Sequence, residues 1–165
     1  NADSSTGILA GGTVYAGNTG PVANTTPLRD QSGNISAVVF NGIASQANYA
    51  DLAEKYSTDK EYEVGTVMTI QRSGSAEMTA CDENAQPLGV ISENPAFLMN
   101  KDADGQSIAL VGRVPVKVKG AVKKGDRVYA SEDGTASIDG ENLVGFALQS
   151  NEDEAIKNIE VMLKL

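Results

Sequence analysis

Arg113-Val114-Pro115-Val116-Lys117-Val118-Lys119 sets three valines on one side of an extended chain and Arg113, Pro115, Lys117 and Lys119 on the other. Side chains repeat every second residue in a strand, so this run predicts a β-strand with one face in a core and one in water. Proline donates no backbone N–H, which puts the run at a sheet edge or a bulge. Strand patterns recur on both sides of it. Tyr62 to Ile70 and Glu77 to Cys81 alternate across a Ser73-Gly74-Ser75 turn and predict a hairpin. Leu88-Gly89-Val90-Ile91-Ser92 reads as a buried strand that Glu93-Asn94-Pro95 turns, and Ala96 to Met99 and Ile108 to Val111 flank a polar loop from Asn100 to Ser107. Beyond the opening run, a Lys123-Lys124-Gly125-Asp126 turn leads to Arg127 to Ala130, Gly134 to Ile138, Leu143 to Leu148 and Ile159 to Leu165. Roughly eight or nine short strands at such spacing predict a mostly β fold, a compact barrel or a β-clip-like sandwich.

The charges divide the chain. Of the 35 Asp, Glu, Lys and Arg in the 165 residues, only Asp3, Arg29 and Asp30 fall among residues 1 to 50. That opening is rich in Gly, Asn, Thr, Ser and Ala, with short apolar pulses at Ile8-Leu9, Val14-Tyr15, Val22 and Ile35 to Phe40. Such pulses read as brief strands and turns. They are too few to fill a private core, and burial too small to offset ordering entropy leaves a chain unfolded. Ala37-Val38-Val39-Phe40 is too apolar for water. The segment is therefore expected to take its core from neighbouring chains, the alternative being a disordered leader on a monomeric β-domain. Between the two parts, Ser45 stands as a cap, Tyr49, Leu52, Ala53 and Tyr56 share one helical face, and Asp51 and Lys55 stand four apart. These signals predict a short connecting helix that needs a partner surface. The expected organisation is a shaft-like β segment over 1–44, the helix over 45–57 and a globular β head domain over 58–165.

Composition removes much of chemistry. With no His and no Trp, neither Ser-His-Asp nor Cys-His catalysis, imidazole metal sites or tryptophan sugar platforms are available. A net charge of −9 works against nucleic acid and anionic membranes. Cys81 is single, which excludes an intrachain disulfide, and reads as a small apolar filler. The two long uncharged stretches are broken throughout by polar residues, so no membrane span is expected. Asn100-Lys101-Asp102-Ala103-Asp104-Gly105 has the opening of a calcium loop, but Val111 stands where its closing Glu belongs, and a solvated loop is the better reading. The runs at Glu132-Asp133 and Glu152-Asp153-Glu154 read as exposed turns. Lys117, Lys119, Lys123 and Lys124 form the one basic cluster, read as a solvated face. No catalytic, cofactor-binding or metal-ligating residue is assigned, and no cofactor is expected.

Four ordered blocks carry a resemblance. Tyr49-Ala50-Asp51-Leu52-Ala53-Glu54-Lys55-Tyr56 is followed by Tyr62-Glu63 and Gly65-Thr66-Val67, by Gly89-Val90-Ile91-Ser92 with Asn94-Pro95-Ala96, and by Gly112-Arg113-Val114-Pro115-Val116 with Lys123-Lys124-Gly125-Asp126. Over about residues 45–165 this resembles the C-terminal domain of bacteriophage tail-fibre and related virion appendage proteins. Asp30-Gln31-Ser32-Gly33-Asn34-Ile35 and Phe40-Asn41-Gly42 resemble the phrasing of fibre shafts. The resemblance implies a homotrimer whose thin intertwined β-shaft leads into a head, placed on the phage particle, bound to other virion proteins and serving host attachment through a cell-surface glycan or protein. Related appendage domains act as intramolecular chaperones and cut themselves off. For that chemistry the candidates are Ser92 as nucleophile and Glu93 or Asp51 as base. A capsid-decorating protein without receptor binding is the other alternative. The start at Asn1 without Met is what a fragment or processed product would have.

Overall fold

The computed structural model describes residues 51–164 together with residues 7–10, 13–18, 26, 27, 31 and 32. The chain forms two compact units, Asn1–Gln46 and Ala47–Leu165. In the first, β1 (Gly7–Ala10) pairs antiparallel with β2 (Thr13–Asn18), placing Ile8 opposite Tyr15 and Leu9 opposite Val14, and β3 (Thr26–Pro27) joins β2 in parallel. The first two apolar pulses are thus strands. Those at Val22 and at Ile35 to Phe40 lie outside the described residues.

The second unit is built on one strand. The two runs read separately from sequence, Ile108 to Val111 and Arg113 to Lys119, belong to a single 13-residue strand, β9 (Gln106–Val118), which bends at Gly112. Gly112 has φ 118°, a conformation that side-chain-bearing residues rarely adopt. Past the bend, Val114, Val116 and Val118 are fully buried while Arg113 is exposed, as the alternation requires. Their neighbours on β13 (Lys157–Leu163) match: Val114 stands opposite Val161, and Val116 opposite Ile159. From β13 the sheet continues through β12 (Leu143–Ala147), β10 (Arg127–Ala130) and β11 (Ala136–Ser137), which returns to β9 through Ala136 and Val118. That last pairing closes a five-stranded barrel. Valines, alanines, Ile159 and Leu163 fill it, and each buried valine contributes about 1.5–3 kcal/mol.

Pro115 fits its place on this strand. The N–H groups of Lys117 and Lys119 point away from β13, to the carbonyls of Gly65 (2.9 Å) and Ala136 (2.9 Å). Pro115 shares their phase, so its missing N–H removes no bond to β13.

Before the bend, β9 is flanked on both sides, by β4 (Asp51–Tyr56) and by β7 (Gly89–Ile91). β7 pairs with β5 (Val67–Ile70), β5 with β6 (Met78–Ala80), and β4 with β8 (Phe97–Met99). The expected hairpin is β5–β6, with Thr69 opposite Thr79. Backbone bonds from Glu77 and Met78 to the Ser57 carbonyl bring the chain after β4 against β6, so this layer curls around Met68, Met78, Ile91 and Ile108.

The connecting helix expected over 45–57 is not formed where it is described: residues 51–56 are the strand β4, and residues 45–50 lie outside the described residues. The physical reason is competition. A helix of about three turns is marginal alone, whereas as β4 the same residues pair with β8 on one edge and β9 on the other, burying Asp51 and Ala53 on one face. The Asp51 and Lys55 pairing of the helix reading is lost, and Lys55 Nζ donates instead to the Ala103 carbonyl (3.2 Å). Among the described residues no helix is long and apolar enough to cross a membrane.

The loop entering β9 depends on Gly105, at φ 128°, where a Cβ would collide with the Tyr56 carbonyl. We expect Gly105→Ala to destabilise the domain by about 2 kcal/mol or more, from backbone strain plus that clash. A urea titration would register this as a lower midpoint at unchanged slope.

Candidate functional site

Two adjoining hollows share Val64 and Ser92, one at the start of β9 and one just past its bend. The larger, about 600 Å³, is walled by Tyr62, Glu63, Ile91 and Gln106, among others. Gln106 braces its wall through a reciprocal pair with the backbone of Tyr62. Its Oε1 accepts the Tyr62 N–H (2.8 Å) and the Thr58 hydroxyl (3.1 Å), and its Nε2 donates to the Tyr62 carbonyl (2.7 Å). Sequence reading left Gln106 in a polar loop, and no signal in its neighbours marks it as a clamp.

Tyr62 is held from its other end too. Its hydroxyl donates to Asp59 Oδ1 (2.7 Å) and accepts the Ala80 N–H (3.1 Å), while Thr79 Oγ1 donates to Asp59 Oδ2 (3.2 Å). At Asp59, desolvation works upward, but hydrogen bonds from Tyr62, its own backbone and Thr79, with the Lys60 charge, hold the carboxyl below its usual range. Tyr56 donates to Glu54 Oε2 (2.7 Å), and this bond, with burial and the charges of Glu54 and Glu77, pushes its pKa up to about 12. Both tyrosines are therefore engaged as structural pins.

The smaller hollow, about 220 Å³, collects Asp51, Ser92, Glu93, Arg113 and Glu160. It brings together the three groups that sequence reading considered for self-cleavage. Asp51 is 7% exposed, and its Oδ2 is buried without a hydrogen-bond partner, so it is not held on the Ser92 hydroxyl. Ser92 is half-buried at the end of β7, its N–H bound to the Ser107 carbonyl (2.9 Å). Glu93 is exposed.

The remaining candidates are dispersed. Cys81 is fully buried, and desolvation followed by the Asp82 charge pushes its thiol up to about 11, which makes it a poor nucleophile. Asn100 to Gly105 forms the turn between β8 and β9, with Lys101 paired to Asp102 (3.1 Å). Among the described residues no three Cys, Asp or Glu side chains gather as a metal site. Of the four lysines, Lys117 pairs with Glu63, holding that carboxyl below its usual range, and Lys123 and Lys124 lie in the turn before β10, where their N–H groups bond Asp126 and Ser150.

With barrel, curled layer and hollows in view, solved structures can be compared. The fold is shared with bacteriophage phi29 gene product 12. Its C-terminal fragment matches over 69% of this chain and 100% of its own length, with a TM-score of 0.54 at 14% identity. The pre-mature gene product 12 matches over 80% of this chain and 23% of its own, with a TM-score of 0.58 at 15% identity. No family model and no curated protein matches the chain.

Proposed function

We propose that this chain is a bacteriophage virion structural protein, the C-terminal part of a trimeric tail or head fibre that serves host attachment rather than catalysis. The observation that carries the reading is the match to gene product 12, which spans the whole of its C-terminal fragment. The uneven charge supports it from another side. Three copies of a segment with three charged side chains in fifty residues supply one another's missing apolar partners, while the charged β-domain fills its own core. Its partners are then two further copies, other virion proteins and a host-surface glycan or protein. Electron microscopy of intact particles bearing antibody against residues 51–164 should find the label at the particle surface, and the purified chain should compete with particles for adsorption to host cells. A protein absent from particles, or one that leaves adsorption untouched, contradicts this reading.

A second reading, a self-cleaving intramolecular chaperone that drives trimerisation, is favoured by one observation. Asp51 and Ser92, a candidate base and a candidate nucleophile, line one hollow. The match to both a pre-mature gene product 12 and a C-terminal fragment of it points the same way. In a version of the chain extended at its N-terminus, this reading expects a discrete fragment that Ser92→Ala abolishes. A full-length product from the parent sequence would remove it.

A further inference from the structure

The smaller hollow, about 220 Å³, gathers three carboxylates from separate parts of the domain: Asp51 on β4, Glu93 in the turn after β7 and Glu160 on β13. Asp51 stands opposite Gly112, which has no side chain to fill the space beside it. Asp51 is the most buried of the three, 7% exposed, and its Oδ2 meets no donor. Glu160 is half-buried and Glu93 exposed, so the carboxylates run from the interior to the rim. Among the described residues the ion pairs are Lys101–Asp102 and Lys117–Glu63. Arg113, though it lines the same hollow, is therefore paired to none of the three. Val64 and Pro115 supply apolar wall.

We infer that this hollow receives an arginine side chain of a partner protein. A buried carboxylate calls for a donor that carries positive charge, because a charge taken out of water is stable only when paired. The three carboxylates are not grouped closely enough to hold a metal ion. A guanidinium suits that wider spacing. Its five N–H donors lie in a planar fork and can serve more than one carboxylate at once, whereas an ammonium is a single point charge. Its methylene stem can lie along Val64 and Pro115. The net charge of −9 draws cationic partners towards the chain. The inference needs the folded β-domain alone and goes beyond the fibre reading, since no assembly of this chain enters into it.

Nuclear magnetic resonance on the full, isotope-labelled chain tests this, with N-acetylarginine methylamide as the probe and N-acetyllysine methylamide beside it. The arginine probe should shift the amide signals of Asp51, Glu93, Arg113 and Glu160 saturably, while those of the exposed acidic turn Glu152-Asp153-Glu154 move little. Glu160→Gln should weaken binding about tenfold, the loss of one charge-assisted hydrogen bond, with the remaining signals in place as the sign that the fold holds. If that variant loses the fold, Glu93→Gln on the exposed rim replaces it. Glu152→Gln combined with Glu154→Gln removes more charge and should leave the affinity within about twofold, because water and salt screen that turn. Equal binding of the lysine probe, equal shifts at the acidic turn, or unchanged affinity in the folded rim or wall variant overturns the inference. So does a parent chain without saturable shifts. Binding that then appears in Arg113→Gln would assign the hollow to the chain's own arginine.

Discussion

One strand serves two layers, and the rest of the domain is arranged around that constraint. Each half of β9 must satisfy its backbone groups and bury its apolar face with different neighbours: β4 and β7 before Gly112, β13 and β11 after it. A strand that passes from one layer to another has to bend, and here the register with β4 slips by one residue at Leu110, two positions before Gly112 at positive φ. The barrel closes only because the C-terminal half reaches Ala136. The hollow containing Asp51, Ser92 and Arg113 lies at the bend, where Arg113 begins the second half and Asp51 stands opposite Gly112.

Much of this was legible in the sequence, because it rests on side-chain period. Val114, Val116 and Val118 alternate with charged residues and proline, and their burial follows. The β5–β6 hairpin, the fully buried β7, and the strands from Arg127 onward were marked by the same rule with turn residues between them. What was not legible depends on partners far away in the chain. Leu52, Ala53 and Tyr56 fit a helical face as well as a strand, and only the pairing of residues 51–56 with Phe97–Met99 and Gln106–Gly112 decides for the strand. The continuity of β9 was hidden by a glycine that reads as a break. The role of Gln106 was hidden because an amide bonded to the backbone of a residue 44 positions away leaves no local pattern.

The candidate chemistry divides along the same line. Residue types pointed to Ser92, Glu93 and Asp51, and the fold does gather them, but it was burial that singled out Asp51, a quantity no sequence pattern carries. Tyr62 and Tyr56 are tied to Asp59 and Glu54. The described domain is thus rich in internal fastening. Among its described residues, the buried side-chain oxygens left without a partner are Asp51 Oδ2 and Gln71 Oε1.

The central proposal is that the charge-poor first fifty residues are completed by other copies of the chain. Sedimentation equilibrium on the full chain tests it most directly. The account predicts a mass three times the 17.2 kDa of one chain, unchanged on dilution. A single species of 17.2 kDa with residues 1–50 rapidly removed by protease would contradict it.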